Sequence, residues 1–370
     1  MMWRSFHVHY YEQDRNALLL DAVRPFVERI APRVNGVHYL LHWLRGPHVR
    51  LHVDAAPEVF DSLVLPALDE LVRGHLAAHP STAVVDTAAM LAQHERLAGL
   101  EHEAGPLSPL LPDNTVLEAP YDRRLHVHGG PQAADLLADF YNETTPFAFE
   151  MTERLRDGAQ LAGLAFDTMI ASAHGLSGVE LRQGFVSFRS HAEAFLSWWP
   201  EAEGLREAWD RHYAAHSGLL ATRVRAVLRA VEGAATGEAA GAHGSGLVPR
   251  WLAAADPVLR RGRALIAAGD LSMDPPWAGR TSLDDAEVAE LARRSTFHNH
   301  RRPEGIEVDR LWFDQYRLTL NYTYLHLTRL GLSPVERFLL CHLAANTAED
   351  LYGVPATDVL LPAPGEPVFS

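Results

Sequence analysis

The sequence predicts an α+β fold in which small antiparallel or mixed sheets, opened by a β-α-β-β run, pack with many helices. Strand-like segments near the N-terminus alternate apolar and polar residues with the period of two that an extended chain imposes. Further along, apolar residues recur at spacings of three and four, which places them on one helical face. A capping signature in the last third marks a helix start by its own chemistry.

Ser5 to Tyr11 sets Phe6, Val8 and Tyr10 opposite His7 and His9, a strand with one apolar face. Asp14 to Ile30 reads as a helix striped by Leu18, Leu19, Ala22, Val23, Phe26, Val27 and Ile30. Val37 to Arg45 and His48 to Val53 return as strands joined at Gly46-Pro47. In the second of these, Val49, Leu51 and Val53 point one way and His48, Arg50 and His52 the other. A row of imidazoles and a guanidinium suits anionic or strongly polar groups in a cleft; the plainer reading is a solvated sheet face. A helix follows from about Pro57 to Ala78, then a Pro-rich connection from Gly105 to Pro120. Gly130-Pro131 opens a helix with proline at its first position, where the missing N–H costs nothing. Pro146 is expected to break that helix and start another toward Ala173. Helical periodicity resumes across Gly184 to Trp199 and Leu205 to Val231, and Glu232 to Gly246 reads as a flexible Ala/Gly-rich insert. Leu311 to Leu330 carries a stripe through Leu311, Gln315, Leu318, Tyr322, Leu325 and Arg329, stopped by Gly331. Ser333-Pro-Val-Glu336 is a capping box, and its helix should run to about Leu351 and end at Gly353. Residues 1–370 read as one domain.

Composition excludes several classes. A formal net charge of −14 argues against a nucleic-acid backbone binder. The single cysteine, Cys341, permits no internal disulfide and sits in an apolar run, so a buried, inert thiol is expected. No apolar stretch has membrane-spanning length and the N-terminus lacks a signal-peptide core, so a cytoplasmic location without membrane attachment is expected. The histidine pairs His7/His9, His126/His128 and His298/His300 lack a neighbouring carboxylate or thiol set that completes a recognised metal site.

Four segments share a family likeness. Gly46-Pro-His-Val-Arg-Leu-His52 resembles a "Gly-Pro-His-Leu-Arg-Leu-Arg" signature, and Tyr121 to Gly130 aligns on "Tyr-x-x-Glu-x-x-Arg-Tyr-Gly-Gly". Gly184 to Phe195 and Asn321 to Arg337 resemble segments of stand-alone members associated with thiopeptide clusters. Together they resemble the C-terminal domain of LanB-type lanthipeptide dehydratases, also called the thiopeptide-type bacteriocin biosynthesis domain. The resemblance implies the fold of the elimination domain of those dehydratases. It implies one of three chemistries: glutamate elimination from glutamylated Ser/Thr, amino-acid addition from aminoacyl-tRNA, or pyridine synthesis. In the last, two dehydroalanines of a leader-bearing thiazole peptide join in a formal aza-[4+2] cycloaddition. Loss of water and leader then aromatises the ring and closes a macrocycle.

One departure ranks these. Glutamate-eliminating members carry Arg in "Arg-Tyr-Gly-Gly"; here Val127 stands, followed by His128. Valine cannot hold a departing carboxylate through paired hydrogen bonds. The resemblance therefore implies a pyridine synthase first, then a split elimination subunit, then a non-catalytic peptide-binding partner. The implied partner is a ribosomal precursor peptide, and a homodimer is compatible with the chain. No cofactor or metal is expected, because loss of water and leader carboxamide brings the ring to pyridine level.

The chemistry needs an amide to become its iminol tautomer and a hydroxide to leave, work suited to histidine and tyrosine. Ser187, Arg189, Ser190 and His191 are the strongest candidates, with His191 transferring protons and the serines binding the amide. Helix capping and surface pairing are their plainer reading. His298 lies where the family's eliminating histidine would align. Tyr324 is the further catalytic candidate. Arg50, His52, His128, Gln315, Asn321 and Tyr322 are assigned to substrate binding, though Asn321, Tyr322 and Tyr324 cannot all share one helical face.

Overall fold

The structure, a computed structural model, describes residues 2–101, 103, 105–198, 202–236, 246–274, 294–300, 307–366 and 368–369. Two compact units emerge: Met1–Ala159 with Arg329–Gly331, and Gln160–Thr328 with Leu332–Ser370.

Strands β1 Trp3–His9, β2 Gly36–His42, β3 His48–Asp54 and β4 Thr115–Pro120 build the first unit. They form one sheet in the order β2-β3-β1-β4, antiparallel throughout, and with the helices they give the α+β class expected. Alternation sorts the side chains as the sequence requires. Phe6, Val8, Val37, Tyr39, Val49, Leu51 and Val53 lie buried on one face. Arg4 on that face lies over the Phe60 ring at 4.6 Å. Phe60 belongs to the helical stretch from Pro57 to Ala78, which includes two π-helical segments. The register pairs Ser5 with His52, His7 with Arg50 and His9 with His48 on the other face, and brings His38 and His42 opposite His52 and His48. The β2–β3 turn needs glycine, since Gly46 has φ +114° and a Cβ there would meet the Tyr11 hydroxyl.

Two expectations fail here. The supposed Pro-rich connection contains β4, an edge strand bounded by Pro112 and Pro120. Its half-exposed residues carry little alternation, so pairing with β1 rather than its own pattern makes it a strand. Pro146 does not break the chain either; it lies inside one helix, Pro131–Arg156. The proline removes an N–H from the ladder, yet nearby carbonyls are answered. Arg329 donates to the Tyr141 and Thr144 carbonyls at 3.2 and 2.9 Å, and the Thr144 and Thr145 hydroxyls donate one turn back. The break falls instead before the next helix, Leu161–Gly175.

Helices Leu161–Gly175, Glu180–Trp198, Ala202–Thr236, Leu247–Ala268, Thr296–His300, Arg310–Arg329 and Pro334–Tyr352 make up the described residues of the second unit's helical part. Residues 329–331 of the chain belong to the first unit. The expected insert begins as helix up to Thr236, and residues 237–245 lie outside the described residues. The Ser333 capping box forms as read, and Gly353 caps the last helix at φ 67°. Gly184 permits a close approach: a Cβ there would lie 2.8 Å from the Ala173 carbonyl. The Tyr316 hydroxyl donates to the Gly184 carbonyl at 2.9 Å, fixing helix Glu180–Trp198 against helix Arg310–Arg329. Among the described residues no helix is long and apolar enough to cross a membrane.

Candidate functional site

Helix Glu180–Trp198 sorts its residues by the 3.6 period. Phe185, Phe188, Ala192 and Leu196 are buried, while Ser187, Ser190, His191 and Ala194 share a half-open stripe. Two polar pairs extend from that stripe. His191 Nδ1 lies 2.8 Å from the Tyr324 hydroxyl, which in turn lies 3.4 Å from Cys341 Sγ. Ser190 Oγ lies 3.0 Å from His298 Nε2. Ser187 hydrogen-bonds the Tyr316 hydroxyl.

The charges follow from this placement. Burial pushes His191 down to about 4, and the Arg337 and Arg317 charges push the same way. Burial drives Tyr324 well above the usual phenol value and lifts Cys341 to about 11. At neutral pH the row is a neutral imidazole, a protonated phenol and a thiol. Cys341 is therefore the inert, buried thiol expected, serving Tyr324 as a hydrogen-bond partner. The Arg337 guanidinium lies over the Tyr324 and Phe338 rings at 5.0 and 4.7 Å, and its Nε meets no hydrogen-bond partner among the described residues. Arg337 escaped the sequence reading, although its i, i+4 spacing to Cys341 puts both on one helical face. Ser295 escaped it too, although it stands three residues before His298.

Other expected residues fall elsewhere. Arg189 is buried on a different face, where Glu349 accepts from its Nη2 at 2.6 Å and its Nε at 3.2 Å, and Asn346 also accepts. It lines a cavity of about 290 Å³ with Glu193, Phe297, His300 and Glu349. Gln315, nine residues before Tyr324, faces the opposite side of its helix. It donates to the Arg263 carbonyl at 3.1 Å beside a cavity of about 810 Å³. Asn321 is exposed one turn before Tyr324, and Tyr322 is buried on another face.

Arg50, His52 and His128 lie in the first unit. His52 is buried, its ring 5.1 Å from His38 and 4.9 Å from Tyr121. Half-buried Arg50 donates from Nε to His48 Nε2 at 3.1 Å. Burial and the Arg124 charge lower half-buried His128 to about 4. Among the described residues no group of three His, Cys, Asp or Glu is arranged to hold a metal ion.

A mostly helical chain with this sheet and site is one of a recognised kind. It belongs to the lantibiotic biosynthesis dehydratase C-terminal family, whose sequence profile matches residues 3–348. Among solved structures it is similar to the pyridine synthase TbtD from thiomuracin biosynthesis, at 37% identity and TM-score 0.76, over 95% of this chain and 99% of that one. TsrL shares the fold at 19% identity and TM-score 0.69, over 99% of each chain. The tRNA-dependent lantibiotic dehydratase MibB from Microbispora sp. 107891 shares it at 13% identity and TM-score 0.50, over 95% of this chain and 28% of that one. No curated protein sequence matches the chain.

Proposed function

We propose that this protein is a thiopeptide pyridine synthase and macrocyclase. It joins two dehydroalanines of a leader-bearing thiazole peptide by formal aza-[4+2] cycloaddition, then releases water and leader carboxamide. The observation that carries the reading is the stripe on helix Glu180–Trp198. There Ser190 and His191, neighbours in sequence, each meet a second proton-bearing group, in a fold 37% identical to a pyridine synthase.

The 2-azadiene forms when the amide nitrogen gives up its proton and the carbonyl oxygen gains one. His191, neutral and engaged at Nδ1 by Tyr324, has Nε2 left to take the nitrogen's proton. Ser190, backed by His298, hydrogen-bonds the oxygen, and His191 returns the proton taken from nitrogen to that oxygen, so the iminol forms with no net proton change. Two carbon–carbon bonds then close the six-membered ring, from methylene to methylene and from iminol carbon to the second α-carbon. Loss of water and of the leader carboxamide completes the pyridine without any change of oxidant. Holding both alkenes in contact removes much of the entropic barrier, since oriented intramolecular reactions reach effective molarities on the order of 10⁵ M or more.

The test is mass spectrometry on a synthetic leader-bearing peptide with two dehydroalanines. Purified protein alone should yield a macrocycle and an intact leader carboxamide. A glutamylated peptide in parallel should keep its glutamate, because Val127 cannot anchor the leaving carboxylate. Glutamate release without cyclisation would replace this function by elimination.

A further inference from the structure

We propose that Ser295 is a positioning residue that holds His298 as its Nε2–H tautomer, so that His298 works as a neutral hydrogen-bond donor behind Ser190 and not as the site's base. The inference rests on the site reading above and divides the labour between its two histidines.

Proton bookkeeping at Ser295 carries the argument. Its side chain is nearly sealed, with the residue 2% exposed. Its Oγ accepts the His298 backbone N–H at 3.2 Å and lies 2.7 Å from His298 Nδ1. A hydroxyl has one proton to place and two lone pairs. The backbone N–H takes a lone pair. Among the described residues the acceptor left for the hydroxyl proton is Nδ1, and a sealed hydroxyl that does not donate loses a hydrogen bond's worth of stability. An imidazole that accepts at Nδ1 carries its own proton on Nε2. That proton points at Ser190 Oγ, 3.0 Å away. Ser190 then accepts from His298 and turns its own proton outward to the substrate oxygen.

The segment is held for this purpose. Phe297 is buried and lines the same small cavity as Arg189, Glu193 and Glu349, on the side of helix Glu180–Trp198 away from the His191 stripe. With Phe297 anchored there, His298 is directed at Ser190. A neutral imidazole donor suits a carbonyl oxygen that must gain hydrogen-bonding strength while keeping a proton-accepting site free elsewhere. His191, with its Nε2 unengaged by Tyr324, is the group left for proton exchange.

The experiment reads the tautomer directly. Full-length protein with ¹⁵N-labelled histidine is examined by long-range ¹H–¹⁵N correlation, and the His298 signals are identified by their loss in His298→Gln. Wild type should show a pyrrole-type Nε2 and an acceptor-type Nδ1. Ser295→Ala should lose that pattern and lower kcat about 10-fold with KM unchanged. That is less than the roughly 10²-fold or more lost with a direct oxyanion donor. Ser295→Thr, which keeps the hydroxyl, should restore both. A wild-type Nδ1–H tautomer overturns the proposal, as does a Ser295→Ala enzyme that keeps the wild-type pattern and turnover, or a Ser295→Thr enzyme as impaired as Ser295→Ala. The tautomer is read without substrate. A protein that converts no dehydroalanine peptide therefore defeats the function proposed above, while the NMR result still decides the role of Ser295.

Discussion

Both units collect histidines, but they use them differently. On the sheet of the first unit the rings rest on one another: His7 and His9 lie 4.8 and 4.7 Å from His48, His42 lies 5.4 Å from it, and His38 lies 5.1 Å from His52. Neither ring nitrogen of His9 meets a hydrogen-bond partner among the described residues. On the half-open helical stripe of the second unit, His191 and His298 each face a hydroxyl at hydrogen-bond distance. The electrostatic direction is the same in both places. Burial lowers His7 to about 3, His9 to about 4, His38 to about 3 and His191 to about 4. A depressed histidine therefore does not by itself mark a reactive one. What separates the two regions is the hydroxyl beside each imidazole of the stripe, a partner that can give or take a proton.

Acid should break the symmetry with the largest effect. Unfolded histidines take up protons near 6.5, whereas the sheet histidines stay neutral to about 4 or below. Burial and Arg50 hold His48 lower still, at about 2, and His42 and His52 are also driven far down. The unfolded state therefore binds more protons as pH falls below 6.5, so the first unit loses stability in the window from 6.5 to 4. Each such histidine costs about 1.4 kcal/mol per pH unit across its window. The second unit holds fewer depressed histidines among its described residues, namely His174, His191 and His342. Urea unfolding at pH 7.5 and 5, read by hydrogen exchange on peptides from β2–β3 and from helix Arg310–Arg329, should show the sheet midpoint falling much further. Equal shifts would mean the stacked rings take up protons as freely as the others.

The catalytic contrast comes next. His191→Ala should lower kcat by about 10²-fold or more, the usual share of a positioned acid–base group. The urea midpoint should hardly move, because His191 is half-open and its loss leaves Tyr324 a partner in Cys341. Steady-state turnover of the dehydroalanine peptide measures the first and equilibrium unfolding the second. A variant with near-normal turnover would move the proton-exchange role away from this stripe.

The same contrast explains what was legible in the chain. Strand faces were legible because Val49, Leu51 and Val53 against His48, Arg50 and His52 differ strongly at every second position. The Ser333 cap and Gly353 stop were legible because their chemistry is local. The course of the chain past Pro146 was not, because the helix is braced there by Arg329, far away in sequence, which donates to the Tyr141 and Thr144 carbonyls on either side of Asn142. The site divides along the same line. Ser190 and His191 stood out as neighbours on one helix. Their partners Tyr324 and His298 were named as candidates, but the pairing itself depends on how separate helices pack. Arg189 drew attention as a cation beside them, yet a step of two residues turns a helical side chain by roughly 200°, and the structure sends it to Glu349. Gln315 misleads for a similar reason, nine residues and half a helical rotation from Tyr324.

The smallest expected effect sharpens the comparison most. His52→Phe keeps a ring between His38 and Tyr121 and removes both ring nitrogens, of which Nδ1 has no hydrogen-bond partner among the described residues. Removing an unsatisfied polar atom is favourable, while the larger ring strains a closed site, so the two terms oppose one another. The urea midpoint at pH 7.5 should shift by no more than about 1 kcal/mol in stability. Turnover should stay within about twofold of wild type, well short of the roughly 10²-fold assigned to an acid–base group. The acid window should narrow by one proton, about 1.4 kcal/mol less stability lost per pH unit between 6.5 and 4. Turnover that drops tenfold with the midpoint unchanged would give the opposite lesson. The row of imidazoles on β3 would then meet substrate, as its alternation with Val49, Leu51 and Val53 first invited.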